Sequence, residues 1–358
     1  MHSTTSGGAG RGPDRPVEPV SPPSGAPRLK DVAARAGVSS ATVSRVINES
    51  VPVSPATRER ILSAIRELNY VPDALARGTA RRRSQVLGMI VPNITNPYFA
   101  ELYRAAAEAA FRHHYIVWVL DTNESVELEA AALNTFQRFR VDAILITPVD
   151  ARANRERYGA LPMPLCFVDR EVTDSEWDFV GVDNVGGAKM ATRLLMENGH
   201  RRIATITGPQ SSTSGVDRLR GYRAALEESG LSVPPDYVQI GNFHEASGYA
   251  AGLRLLALPN QPTAVMVANS LMALGLLQAL HQKGRELAII AFDDFPLAAL
   301  ATPPITVVAL PSAKLGSSAV TRVLHRLKSP DARRRRLIVA PKLVVRGSEQ
   351  LPPRPDSG

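Results

Sequence analysis

From Val86 onward, strand-like apolar runs alternate with helical stretches, and the whole pattern runs twice. The first round contains VLGMIVP, YIVWVLD, DAILITP and PLCFVD, with helical segments such as PYFAELYRAAAEAAFRHH between them. After residue 184 a helix at 185–199 leads into RIATITG, and TAVMVAN and LAIIAFDD follow. Such alternation is the mark of βαβ units and a parallel sheet, because parallel neighbours need a crossover between them. Two rounds predict two doubly wound lobes with a cleft between them, where the carboxyl ends of the strands face a ligand. The strand-like LIVAPKLVVRG comes last, beyond a helix at 312–328.

The 85 residues before this pattern are of another kind. Residues 1–28 are rich in Gly, Pro, Ser and Thr without apolar periodicity, which predicts a disordered extension; residues 351–358 are expected to be a disordered tail. Residues 29–70 predict three short helices, and 71–84 a linker. The chain carries a formal charge of +8, and residues 29–83 hold ten Lys or Arg against five acids. A compact module with that excess attracts polyanions. A second basic run, Arg333 to Arg336, is expected to be a solvated loop rather than a nucleic-acid contact.

Within the basic module, LKDVAARAGVSSATVSRVINES has the spacing of a helix-turn-helix. Ala33 is small where two helices must approach, and Gly37 supplies a left-handed turn at low cost. Val38, Val43 and Val46 give the second helix an apolar face, and Ser39 caps it. Ser54-Pro55 announces a third helix, with Ile61, Leu62, Ile65 and Leu68 on its inner face. A three-helix module could instead bind protein, but the Ala-Gly-Val spacing together with the charge favours double-stranded DNA. In such a motif the second helix enters the major groove. Arg45 can then bond a guanine edge bidentately, Ala41 can touch a thymine methyl or base edge, and Ser40 is either a base contact or simply exposed. Ser39, Thr42, Ser44 and Asn48 are placed as phosphate-positioning groups.

These motifs resemble those of the LacI/GalR family of transcriptional repressors. KDVAARAGVSSATVSRVIN resembles the family's DNA-binding head, and VSPATRERILSAIRELNYVPDALAR its third helix and hinge. IVPNITNPYFAEL, FVDR, GHRRIATITGP, LRGYRAAL, PTAVMVAN, MALG and IIAFDD follow in family order, so the likeness spans about residues 29–348. It implies a homodimer, or a tetramer, on a pseudo-palindromic operator, with a core like a periplasmic binding protein that senses a sugar or related metabolite. The implied core is 85–350, one lobe being about 85–183 plus 309–335 and the other about 184–308 plus 336–350. The implied hinge helix starts at Pro72. Ala74, Leu75 and Ala76 form its small apolar face, and Arg77 and the run Arg81–Arg83 meet phosphates. At about two turns it is marginal alone, so folding on DNA is a plausible switch. Many relatives wedge a leucine into the duplex here; this chain has Arg77-Gly78-Thr79, which implies a smaller bend.

The resemblance also implies effector contacts. Tyr98, Phe99, Thr147, Asp169, Ser214, Arg218, Phe243, Asn269 and Asp293 match pocket positions of the family. Acceptors beside aromatic faces suit a polyhydroxylated ring. Several have plainer alternatives: Asp293 or Asp294 as helix caps, Arg218 paired with Asp217, Phe99, Tyr98 or Thr147 as ordinary core. Ser270 stands where the family pattern has Asp, and apolar Leu271 follows it, so the ligand need not be a hexose and lobe closure can differ.

Other classes fit poorly. A free-standing sugar-binding protein would need a signal peptide and no helix-turn-helix. No P-loop, GxGxxG or nucleophile elbow is present, HEASG lacks a second histidine, and adjacent His113 and His114 on a helix point about 100° apart, a poor metal pair. No enzyme, cofactor or metal site is expected. No apolar run reaches the roughly 18–20 residues that span a bilayer. The single cysteine, Cys166 within LCFV, is expected to be a buried strand residue. A cytoplasmic, nucleoid-associated regulator is the expectation, with a protein co-effector or an activator role as the alternative.

Overall fold

The computed structural model describes residues 27–48, 51–70, 83–172 and 177–352. It divides into two units, with the boundary between Arg81 and Arg82. In the first, α1 (Leu29–Ala36), α2 (Ser40–Asn48) and α3 (Pro55–Glu67) form the expected three helices. Local signals set their ends. Gly37 closes α1 at φ 64°, the Ser39 hydroxyl accepts from Thr42 N at 3.2 Å at the start of α2, and Ser54 caps α3 ahead of Pro55. Val32, Ala33, Val43, Val46 and Ile61 bury the shared core.

The second unit contains two six-stranded sheets. The first is built from β1 (Val86–Val91), β2 (Ile116–Asp121), β3 (Ala143–Ile146), β4 (Leu165–Val168), β5 (Asp178–Val182) and β11 (Arg336–Val339), ordered β11-β5-β4-β3-β1-β2 and parallel throughout. The second contains β6 (Ile203–Thr207), β7 (Val238–Ile240), β8 (Ala264–Val267), β9 (Ala288–Phe292), β10 (Thr306–Ala309) and β12 (Lys342–Val344), ordered β12-β10-β9-β8-β6-β7, with only β12 antiparallel. Strands β1, β3 and β4 are buried along their whole length, because helices cover both faces. Strand order reverses between β1 and β3 in one lobe and between β6 and β8 in the other, which opens a crevice at the strands' carboxyl ends.

Helices α4 (Pro97–Phe111) and α11 (Ser312–Lys328) pack together in the first lobe. Gly316 allows it: a Cβ there would come within 2.4 Å of the Leu102 carbonyl oxygen. Helices α7 (Asn184–Glu197), α8 (Thr213–Glu228), α9 (Glu245–Leu256) and α10 (Ser270–Lys283) belong to the second lobe, and α5 (Val126–Arg138) and α6 (Arg155–Ala160) to the first.

The chain crosses between lobes three times, at Asp183, at Leu310–Pro311 and at Ala340–Pro341. The last crossing corrects the boundary expected at 336. LIVAPKLVVRG is two strands, because Pro341 has no N–H to continue a ladder, and its first half pairs with β5. The basic run is likewise more than a solvated loop: Arg336 opens β11 and pairs with Glu171 through Nε at 2.8 Å. Cys166 is fully buried in β4, and burial pushes its thiol up. Among the described residues no helix is long and apolar enough to cross a membrane.

Candidate functional site

Three of the expected positions adopt left-handed backbone after strands: Asp169 after β4 (φ 66°), Phe243 after β7 (φ 65°) and Asp293 after β9 (φ 66°). Non-glycine residues pay for that conformation, and such strain concentrates at functional sites. All three side chains line one cavity between the lobes. Tyr98, Phe99, Ser214, Arg218 and Asn269 line it too, so eight of the nine expected positions converge there. The ninth, Thr147, is buried at the end of β3 outside that lining. Its hydroxyl has no hydrogen-bond partner among the described residues.

The polar groups are held by local caps and by one another. Tyr98 donates its phenol proton to Asp169 Oδ1 at 2.8 Å. Burial, then the Asp169 charge, raises that phenol well above its ordinary range, so it stays a neutral donor. Asn269 caps α10 through Met272 N at 2.9 Å and donates to the Phe243 carbonyl at 2.9 Å, tying two strand ends together. Arg218 donates from Nε to Asn184 Oδ1 at 2.8 Å and from Nη1 to the Ala268 carbonyl, and its guanidinium lies 4.2 Å above the Phe292 ring. It does not pair with Asp217, which binds Arg220 at 2.9 Å. Asp294 turns away to pair with Arg346 at 2.7 Å, leaving Asp293 to face the cleft.

Asn93, Asn96, Glu124 and Arg170 complete the lining and were missed in the sequence; Leu271, noted there as an apolar departure, lines it as well. Arg170 is buried, bonded bidentately to Glu124 at 2.7 and 2.8 Å, and its guanidinium sits 4.6 Å from the Phe243 ring centre in the opposite lobe. The available signals were PNITNP, with two asparagines before a helix, and the arginine of FVDR. Ser270 is buried and bonds across the cleft to Asn96 at 3.2 Å. The lobes are closed, leaving about 20 Å³ inside, room for about one water. Anything larger needs the lobes to part.

In the head, Ser39, Ser40, Ala41 and Arg45 are exposed, and Thr42 and Ser44 are half-buried. The Ser39 and Thr42 hydroxyls lie 2.9 Å apart in a hydrogen bond. The Asn48 side chain and the hinge positions Leu75, Ala76, Arg77, Gly78 and Thr79 lie outside the described residues.

Comparison with known proteins agrees with both units. Residues 28–73 match the model of bacterial regulatory proteins, lacI family, and 192–349 that of a periplasmic binding protein-like domain. The ribose operon repressor of Escherichia coli K12 is 37% identical over 328 residues, covering 89% of this chain and 99% of that protein. The chain belongs to the LacI family. The HTH-type transcriptional repressor PurR of Pasteurella multocida is 34% identical over 328 residues, covering 89% and 98%. A lac repressor dimer bound to operator and an anti-inducer superposes with a TM-score of 0.80 at 27% identity, covering 90% and 98%. The regulator CelR in complex with cellobiose gives 0.69 at 33%, covering 90% and 99%. The chain is thus a DNA-binding LacI-family regulator with an effector-type core, not an enzyme.

Asp293 shows what a LacI-family cleft costs. Burial raises its carboxyl, opposed by Arg218, Asn96 and the Ser270 backbone N–H and reinforced by Asp169, and Oδ1 has no side-chain partner among the described residues. The folded state therefore holds this proton at higher pH than the unfolded chain, so stability falls as pH rises from the ordinary aspartate range through the raised value. Asp293→Asn is expected to melt higher than the parent protein at about pH 7, with the gap closing toward about pH 4, where the unfolded carboxyl also protonates. Calorimetric melts across that range check it. A gap independent of pH would assign the effect to something other than ionisation.

Proposed function

We propose that the protein represses transcription by binding a pseudo-palindromic operator as a homodimer, its affinity set by a neutral sugar or related metabolite in the interlobe cleft. The observation that carries this is the convergence of Asp169, Asp293, Asn269, Arg218 and Phe243 on one cavity at the crevice where strand order reverses. Carboxylate and amide acceptors fix hydroxyl directions, and the Phe243 ring offers an apolar face. Two cations, Arg170 and Arg218, stand against three carboxylates, Glu124, Asp169 and Asp293, which disfavours an anionic ligand. The name of the ribose operon repressor and the cellobiose held by CelR support a sugar, and pentoses are the first to test.

In this reading residues 29–70 read the operator, 71–84 form the hinge and 85–350 sense the ligand, all in the cytoplasm on nucleoid DNA. The dimer is supported by the edge strand β2, where exposed Ile116 and Trp118 lie with exposed Phe139, the two rings 5.8 Å apart. Sedimentation separates dimer from tetramer. The deciding experiment selects operators with purified protein and then screens pentoses, hexoses and nucleosides for altered binding. No response to any metabolite would favour a protein co-effector.

Arg45 is exposed on the helix assigned to the major groove. Arg45→Ala is expected to cost about 1–3 kcal/mol of specific binding while sparing non-specific binding. Competition against random duplex measures this, and unchanged selectivity would remove Arg45 from the base-reading set.

A further inference from the structure

The buried centre of the cleft is bridged by the protein itself. Asn96, the cap of α4 in the first lobe, is gripped by two residues of the second. Its Oδ1 accepts from Tyr98 N at 3.0 Å in its own helix and from the Ser270 hydroxyl at 3.2 Å across the cleft. Its Nδ2 donates to Asp293 Oδ2 at 3.2 Å, also across the cleft. All three side chains are almost wholly buried, with exposures of 3% for Asn96, 1% for Ser270 and 3% for Asp293. With water excluded, every donor here needs a protein acceptor, so parting the lobes must break both bonds at once.

We propose that Asn96, Ser270 and Asp293 form a latch that closes the two lobes through the protein's own side chains, before any effector binds. The polarity of each bond is specific. Ser270 can donate to Asn96 Oδ1; an aspartate in its place could not, and would set a carboxylate against both that oxygen and Asp293. Asn96 must donate to Asp293, and among side chains of its shape only the amide does so. Asp293 Oδ1 is left as a buried acceptor with no side-chain partner among the described residues. The closed cavity holds only about one water, so a ligand hydroxyl reaches Oδ1 after the latch has opened, and ligand entry competes with this closure. Ser270 and Asn96 are then positioning residues: they set the resting population of the closed form against which effector affinity is measured. The regulatory meaning of the latch rests on the assignment of the cleft as the effector site; the closure itself does not.

The test measures closure without ligand or DNA. Spin labels are placed on Glu127→Cys and Asn242→Cys, exposed positions on either side of the cleft, while buried Cys166 stays unlabelled. In the otherwise unaltered, full-length protein, pulsed electron resonance is expected to show one short, narrow distance. Asn96→Asp keeps an oxygen to cap α4 but sets a carboxylate against Asp293, and is expected to shift the distribution longer and broaden it. Ser270→Asp is expected to do the same. Adding Asp293→Asn to Asn96→Asp reverses the direction of the bond and is expected to restore the short distance. An open distribution in the starting protein, or short distances in both single variants, overturns the latch. So does a double variant as open as Asn96→Asp. Failure of the sugar assignment would appear elsewhere, as the absence of any metabolite effect on operator binding, with these distances unchanged.

Discussion

Arg218→Ala is expected to leave operator binding within a few-fold of the parent protein and to weaken effector binding by roughly 100-fold or more, about 3 kcal/mol. Arg218 is 3% exposed, so its charge is compensated inside the protein rather than by water. It is the cation that counters the buried Asp293 carboxyl, and it also lowers the neighbouring Tyr98 phenol. Without it, Asp293 is more costly to ionise and a worse acceptor for a ligand hydroxyl. Asn184 Oδ1 and the Ala268 carbonyl lose their donor at the same time, which loosens the entry to α7 at the first lobe crossing. Arg218→Lys keeps the charge but not the planar fork, so an intermediate loss is expected. Titration calorimetry with the selected sugar, beside fluorescence anisotropy on the operator, separates the two activities. A response at the concentrations that serve the parent protein would remove Arg218 from the ligand site.

The largest loss of stability is expected far from the cleft. Asp178, at the start of β5, is 1% exposed and binds Arg326 Nε at 3.0 Å, with Arg335 N also donating to it at 3.0 Å and Arg322 Nε 3.8 Å away. Arg326 also donates to the carbonyls of Pro330, Ala332 and Arg333. The cluster thus ties the end of α11 to the loop that feeds β11 into the first sheet. Asp178→Ala strands two largely buried arginines, and breaking a buried pair from one side costs about 3–5 kcal/mol. Against a typical total of about 5–15 kcal/mol, that is a large share. Urea denaturation of the variant measures it. A loss under about 1 kcal/mol would mean that water reaches the arginines once the carboxylate is gone.

The head was legible almost residue by residue. Gly37, Ser39 and Ser54-Pro55 act on the turn they sit in, and the structure places each where its spacing required. The two rounds of βαβ alternation were equally legible, because apolar periodicity records which faces are covered. Eight of the nine positions expected from family order meet in one cavity. Thr147 did not join them. It follows β3 and is buried outside that lining, and one position at a strand end carries no information on depth.

Caps, turns and periodic faces are short-range, and the order of residues is enough to specify them. The pairings that close the cleft are of another kind. Asn96 meets Asp293 across 197 positions, and Ser270 meets Asn96 across 174. Arg170 of the first lobe lies over Phe243 of the second, and Asp178 is bound by an arginine 148 residues later. No local preference encodes such meetings. They depend on strand order and on where the chain crosses between lobes, including the break at Pro341 that separates RLIV and KLV into different sheets. Local chemistry determines which groups stand ready at each strand end. Only the packed arrangement of two lobes decides which of them lose water together and must therefore satisfy one another.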